Sequence, residues 1–489
     1  MITSCFQYHV ATSYDRSSME GHGLDWENQP NVFKEYPGLK PLSLPEPGPF
    51  PEKKLSELLR QAKVESEGLE FHIKTLSTLL FLSYSLTGKA RQGEGYFYFR
   101  SVASAGALYP AELYIVSNGL AGLDDGLYHF SIAHHGLHLL RKGPFQGVTG
   151  PGPGLTFFLA AIFFRSCWKY RDRGYRYCLL DTGHLLENLV LAAGSMGVPL
   201  SCFSDFSDEQ VNQFLGLHQE REVCLTIAEI PKGQELLATL IPVGEKLPQR
   251  LLDASRVAPR ERVYSAPVEA HQAGMTLPQK SKELLPPMIH RLGPTPAHWE
   301  PVGPSDPRLE KVNFKDAVFS RRSRRNFVQK PMAEAAANGL IDSLVRSVSE
   351  IERQFVGTGV LVNRVEDRKP GYYLLDVEKG SLGMVKEGPF VETMAHICLD
   401  QAWLANAVLH FLFMADLGAL EERFGPRGYR SAMLEAGRMG EILYLSAASM
   451  GIGCCGIGAF YDEEAQRLLE LAGDVRLLYL VALGPVKRA

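Results

Sequence analysis

The feature that most constrains this chain is that it repeats itself. Arg173-Gly174-Tyr175-Arg176 returns as Arg427-Gly428-Tyr429-Arg430, 254 residues later. The same offset aligns Ser195-Met196-Gly197 with Ser449-Met450-Gly451, and Asp208-Glu209 with Asp462-Glu463. Residues 173–217 and 427–471 share 18 identities in 45 gap-free positions. A second block, at offset 245, pairs Gly126 with Gly371, Tyr128 with Tyr373 and Gly143-Pro144-Phe145 with Gly388-Pro389-Phe390. Solenoid repeats recur every 20–50 residues or so, and this period is far longer. The 489 residues could hold two to four domains at roughly 100–200 residues each. The repeat reduces that to two diverged copies of one domain, at 1–241 (with an N-terminal arm) and 308–489. Between them, 242–307 holds twelve prolines and reads as a connector. Its Trp299, Tyr264, Leu251 and Leu252 favour at least partial docking on a surface.

Each copy shows the same coarse order of elements. A helical stretch (70–87; 334–349) precedes extended segments (112–117 and 127–131; 357–363 and 372–377). A long apolar helix follows (181–196; 435–450), then a short helix (208–217; 462–472) and a final strand (222–229; 476–483). In the first long helix, Leu186, Leu189, Val190 and Ala193 share one face, while Leu185, Ala192 and Met196 make a second. A helix apolar nearly all round is buried, so the two long helices are expected to pair as a spine. Asp181 and Glu435 stand where they could cap these helices, and Gly197 and Gly451 where a left-handed C-terminal cap belongs. Helices and strands mix without regular alternation, which predicts an α+β fold.

Composition narrows the function classes. Lys plus Arg is 51 against 55 for Asp plus Glu, without the basic excess of a nucleic-acid binder. The longest strongly apolar run, 155–164, is too short to span a bilayer, and the N-terminus lacks a signal-peptide pattern. Eight cysteines without C-x-x-C or zinc-ligand spacing suggest reduced, mostly buried thiols, a cytoplasmic compartment and no metal site. G-x-S-x-G, Walker A and H-E-x-x-H motifs are missing, against serine hydrolase, P-loop and zincin chemistry.

Four segments could carry chemistry. In Arg321-Arg322-Ser323-Arg324-Arg325, alternate residues point one way if the chain is extended. Arg321, Ser323 and Arg325 would then converge on one phosphate, although a solvated basic run is the simpler reading. In Ser104-Ala105-Gly106-Ala107-Leu108-Tyr109-Pro110, small residues would let a flat ligand approach the backbone, or merely turn the chain. Gly451 to Phe460 holds four glycines but follows a helix rather than opening one, so it fails the dinucleotide fingerprint. Its amides could still line a cofactor, and Cys454-Cys455 read as packing thiols. Lys169-Tyr170 lies in a basic stretch. Neighbouring charge and burial would lower the lysine pKa towards a usable base, with the tyrosine as proton relay. A snorkelling lysine is the plain alternative. His184 and Arg438 occupy equivalent repeat positions, and His184 reads as structural.

Together these segments resemble the nitroreductase-like flavoenzymes. Arg321-x-Ser323-x-Arg325-x-Phe327 is similar to the family arm that holds the FMN phosphate and ribityl chain. Ser104 to Pro110 resembles its small-residue loop in the S-A-G-x-L-Y-P version. Cys455-Gly456-Ile457-Gly458-Ala459-Phe460 resembles the C-terminal turn against the flavin, and Lys487 and Arg488 the closing basic residues. The S-A-G-x-L-Y-P version, Leu24-Asp25-Trp26-Glu27-Asn28-Gln29-Pro30 and Trp168-Lys169-Tyr170 resemble the SagB/ThcOx branch, which oxidises azolines in ribosomal peptide natural products. The resemblance implies Lys169 and Tyr170 as the catalytic pair. It implies Ser104, Ala105, Gly106, Arg321, Ser323, Arg325, Cys455, Gly456, Ile457, Gly458, Lys487 and Arg488 as FMN contacts. It also implies a small-molecule or heterocycle-containing peptide as substrate, with neither nucleic acid nor membrane as partner and room for a homo-oligomer. Ordinary members are dimers with two sites. Here the first copy keeps the loop but not the arm, and the second keeps the arm, with Ser349 to Phe355 at the loop position. The expectation is an intramolecular pseudo-dimer binding one FMN. An NAD(P)H-dependent nitro or quinone reductase, or a non-catalytic peptide-binding scaffold, are the alternatives.

Overall fold

The computed structural model describes residues 2–19, 21, 23–60, 72–92, 95–149, 154–230, 246–277 and 284–487. The chain forms two compact units. The first gathers Met1–Thr3, Gly23–Pro51 and Lys63–Leu277; the second gathers Ser4–His22, Glu52–Ala62 and Pro278–Ala489.

In the first unit the strands are β1 (Leu42–Ser43), a hairpin of β2 (Leu86–Gln92) and β3 (Gly95–Arg100), β4 (Ala111–Asn118), β5 (Gly126–Ser131), β6 (Gly136–Lys142), β7 (Gly154–Ile162), β8 (Ser201–Phe203) and β9 (Glu222–Glu229). Apart from the hairpin they form one sheet in the order β1-β6-β5-β4-β7-β9-β8. In the second unit, β10 (Trp299–Pro301), β11 (Gly357–Val362), β12 (Gly371–Asp376), β13 (Ser381–Glu387), β14 (Leu409–Asp416), β15 (Gly453–Ile457) and β16 (Val475–Gly484) follow the order β10-β13-β12-β11-β14-β16-β15. The two orders are the same, strand for strand. The recorded pairings in both sheets are antiparallel. Central strands such as β4 and β14 are buried nearly throughout, as mainly apolar strands covered on both faces are, although Glu112 and His410 are buried with them.

The long helices span Gly174–Ser195 and Arg427–Met450, each packed on its own sheet. They start seven or eight residues before the apolar pattern suggests. Asp181 and Glu435 are therefore interior residues and cap nothing. The cue failed because Arg173, Arg176, Arg427 and Arg430 are buried, so charge does not mark the helix boundary here. Gly174 and Gly428 allow the close start: a Cβ on Gly174 would strike Cys167, and one on Gly428 would strike the Leu420 carbonyl. The C-terminal ends agree with the sequence. Gly197 and Gly451 have φ of +71° and +70°. Val198 N–H donates to Ala193 O and Ile452 N–H to Ala447 O, the same Schellman closure in both units.

Much of the proline-rich stretch is built into the units. Val257 and Ala258 pack with Leu108, Ile162, Phe164 and Trp168 in the first. Met288 and Leu292 enter the core of the second, and Trp299–Pro301 is its edge strand β10. The N-terminal arm also belongs to the second unit. Tyr14 N–H donates to Asp462 Oδ2 at 2.9 Å, Ser4 Oγ to Glu421 at 2.7 Å, and Arg16 pairs with Asp400 and Glu464. No helix of the described residues is long and apolar enough to cross a membrane. None of the eight cysteines is in a disulfide, and all but Cys202 are buried.

Candidate active site

In the first unit, the helix Phe163–Tyr170 carries Lys169 and Tyr170 at its last turn. It stops because Arg171 takes φ +48°, an uncommon value for a residue with a Cβ. Tyr170 stacks on Tyr177, ring centroids 4.0 Å apart. The Ser104–Pro110 loop reaches this pair from the other side. Gly106 has φ +66°, and a Cβ there would lie 3.1 Å from Tyr170 Oη and 3.3 Å from Lys169 Nζ. The backbone conformation favours glycine, and a Cβ here would make the two side chains give by a few tenths of an ångström. Of the predicted residues, the structure brings Ser104, Ala105 and Gly106 together with Lys169 and Tyr170.

Several groups hold this loop in place. Ala107 and Tyr109 also have positive φ, 54° and 47°, so the loop needs external support. Arg165 donates to Tyr109 O at 2.9 Å and to Glu112 at 2.6 Å. Burial alone would raise the Glu112 carboxyl, but Arg165 and the His129 hydrogen bond outweigh it and hold the group at about 2. The Arg100 guanidinium lies 4.4 Å from the Tyr109 ring centroid, and Tyr109 Oη donates to Tyr98 O. Asp181 is the anchor at the loop's start. It accepts from Ser104 Oγ at 2.5 Å and from Ala105 N–H at 3.2 Å, while Ser104 Oγ accepts from Tyr109 N–H at 2.8 Å. Burial raises Asp181 to about 7, against the opposing effect of these hydrogen bonds.

The second unit assembles a different cluster. Residues 321–327 run extended beside β15 and β16: Arg324 N–H donates to Cys454 O, and Val328 N–H to Pro485 O. Ser323 bridges to Cys454 and Phe327 to Val486. Tyr444, on the long helix, joins the pieces. Its Oη accepts from Gly456 N–H at 2.7 Å and shares a hydrogen bond with Ser323 Oγ at 3.0 Å, and the buried Arg321 guanidinium lies 5.6 Å from its ring centroid. Burial keeps the Tyr444 phenol well above its ordinary range and hence protonated. Burial likewise raises the Cys455 thiol, against the pull of Arg325, which fits packing thiols. Arg325 also faces Trp403 at 5.9 Å. Lys487 joins this end, its N–H donating to Asn326 O while Asn326 Nδ2 donates to Lys487 O. Arg488 lies outside the described residues.

One detail departs from the sequence expectation. Gly453–Ile457 is an edge strand rather than a turn, because it pairs in register with β16. Gly456 is glycine for a packing reason: a Cβ would collide with Tyr479 Oη. Ile457 is buried in the core, and Gly458 follows the strand end. Sequence reasoning missed Tyr444 and misassigned Asp181. The repeat itself held the signal for Tyr444, since the equivalent residue of the first copy is Val190. A hydroxyl appears only where the basic arm is kept.

The chain belongs to the nitroreductase family, whose profile matches residues 46–228 and again 318–485. It is 26% identical over 184 residues to the Methanocaldococcus jannaschii protein MJ1384, named as a nitroreductase; the match spans 36% of this chain and 81% of that one. It is 33% identical over 116 residues to the trifolitoxin-processing protein TfxB of Rhizobium leguminosarum bv. trifolii, and 27% over 136 residues to the microcin B17-processing protein McbC of Escherichia coli. These matches span 21% and 24% of this chain, and only 31% and 49% of the two processing proteins. A crystal structure from Anabaena variabilis ATCC 29413, also named as a nitroreductase, shares the fold with a TM-score of 0.77 at 24% identity, over 99% of this chain and 100% of its own. The chain is a nitroreductase-family oxidoreductase with two tandem copies of the fold.

Proposed function

We propose that this chain is an FMN-dependent dehydrogenase that oxidises azoline rings in a peptide. The observation that carries the reading is the packing of left-handed Gly106 against Lys169 and Tyr170. An amine and a phenol stand beside backbone without a side chain, where a flat ring can come close. The similarity to two proteins named for peptide-toxin processing supports a peptide substrate.

The donor set of the second unit fits a phosphorylated, hydroxylated ligand. Arg321 and Arg325 offer guanidinium groups, Ser323 a hydroxyl and Lys487 an ammonium, along one braced strand. In this reading these residues, with Arg488, hold the phosphate and ribityl end of one FMN, while Cys455 to Gly458 lie against the flavin and Ser104, Ala105 and Gly106 meet its ring. FMN, when bound, supplies the hydride acceptor. Lys169 Nζ as the free amine, or Tyr170 Oη as the phenolate, would take the proton from the ring carbon, an effect worth about 10²–10⁴-fold. One FMN per chain is expected, and a flavin-to-protein ratio near two after reconstitution would overturn the single site. The compartment proposed is the cytoplasm, on the strength of eight cysteines of which none is in a disulfide.

The test is to incubate the FMN-loaded chain with a thiazoline-containing peptide in air. Loss of two hydrogen masses per ring is expected, and an unchanged mass would sink the reading. The similarity to MJ1384 favours a second reading, an NAD(P)H-dependent reductase. Rapid anaerobic bleaching of the flavin by NADPH would select it.

A further inference from the structure

Asp181 is a buried carboxylate, in the middle of an apolar helix, whose recorded hydrogen bonds all go to the small-residue loop. Both of its oxygens are within 3.2 Å of Ala105 N, and Oδ2 takes the Ser104 hydroxyl proton. Ser104 Oγ then accepts from Tyr109 N–H, so one carboxylate ties the start of the loop to its end. Between these ties lie Gly106 and Ala107, both at positive φ. A strained segment keeps its shape only while its surroundings over-determine it. Gly106 is also the residue that backs Lys169 Nζ and Tyr170 Oη.

We infer that Asp181 is the positioning residue for the Lys169–Tyr170 pair, acting through Ser104 and the left-handed turn at Gly106. Asp181 touches neither reacting group. It sets the distance between the turn and the two side chains, and so how far Lys169 Nζ is sheltered. This inference rests on the proposed role of the pair in proton transfer only for its functional meaning. The geometry it concerns lies within one unit and is testable without any substrate.

The experiment is competitive labelling of lysines in the intact chain with a small acylating reagent, read residue by residue by mass spectrometry. Lysine 54, in the second unit, is the internal reference. In Asp181→Asn and in the milder Ser104→Ala, the Lys169 labelling rate relative to Lys54 is expected to rise about tenfold, as befits loss of charge-assisted hydrogen bonds. The double variant should rise no further than the stronger single one, because both changes cut the same tie. A helical circular-dichroism signal equal to wild type excludes general unfolding, and Ser104→Ala keeps the test alive if Asp181→Asn fails to fold. Unchanged Lys169 labelling in Ser104→Ala, or additive effects in the double variant, would overturn the inference. A labelling change in a chain that oxidises no azoline would leave it standing and remove only the proposed reaction.

Discussion

Asp181 and Glu435 occupy the same turn of the same repeated helix, and their surroundings have diverged. Asp181 faces a loop of small residues and holds it through a hydroxyl and an amide. Glu435 pairs with Arg438 at 3.1 Å, and Arg438 also pairs with Glu352. Glu352 comes from the Ser349–Phe355 segment, which stands where the first copy has its loop. Burial would raise Glu352, but Arg438 outweighs it and keeps the group below its ordinary value. One scaffold position thus carries an open turn in one copy and an ion-pair plug in the other. The reverse holds at the far end of the helix, where the second copy has Tyr444 and a braced basic arm and the first has Val190. Duplication left two copies of one fold, and in the proposed reading each keeps a different part of one site.

The strongest way to break this contrast is to remove the proposed base. Lys169→Ala should lower turnover by about 10²–10⁴-fold and leave the protein yellow. Colourless protein would mean that the first copy also serves to retain the flavin. Arg325→Met should weaken FMN binding by about tenfold or more in a fluorescence titration. Unchanged affinity would remove the arm from the cofactor site.

Tyr444→Phe strands the Gly456 amide and the Ser323 hydroxyl, at a cost of about 1–3 kcal/mol. Chemical denaturation followed in the second unit would read this, and Val190→Ala gives the comparison in the first. Asp181 makes a prediction about pH. Its folded value of about 7 lies above the ordinary 3.8. Below both values the proton is bound folded and unfolded. As pH rises between them, the unfolded chain releases the proton first, so wild type loses stability across that window. The melting-temperature difference between Asp181→Asn and wild type should therefore move in favour of the variant from about pH 4 to about pH 7 and then level off. A flat difference would show that Asp181 is solvated. The smallest effect belongs to Gly106→Ala, which forces a Cβ into a left-handed backbone at about 1 kcal/mol. A thermal melt unchanged from wild type would argue against that conformation.

The sequence made the fold legible because the repeat supplied two independent readings of each element. The strand 222–229 and the glycine caps at 197 and 451 agree with the structure. What misled was polarity inside the core. Arg176 and Arg430 are almost fully buried, so the apolar pattern places the helix starts too late, and Asp181 is an interior residue rather than a cap. The loop and the Lys169–Tyr170 pair were each visible in sequence, but their meeting was not, since it depends on Gly106 adopting φ +66°. Tyr444 was hidden for a different reason. Its role depends on Ser323 and Gly456, which are 121 and 12 residues away along the chain.

The N-terminal arm has a consequence for how this protein is made. Tyr14 finds its partner at Asp462, 448 residues downstream. At synthesis rates of about 5–20 residues per second, the arm leaves the ribosome roughly 20–90 seconds before the surface it binds exists. Throughout that interval Tyr8 lacks Tyr429, the second-unit ring it packs against. Ser4–His22 is therefore made well before the rest of the unit it belongs to, and docks only when that unit is complete.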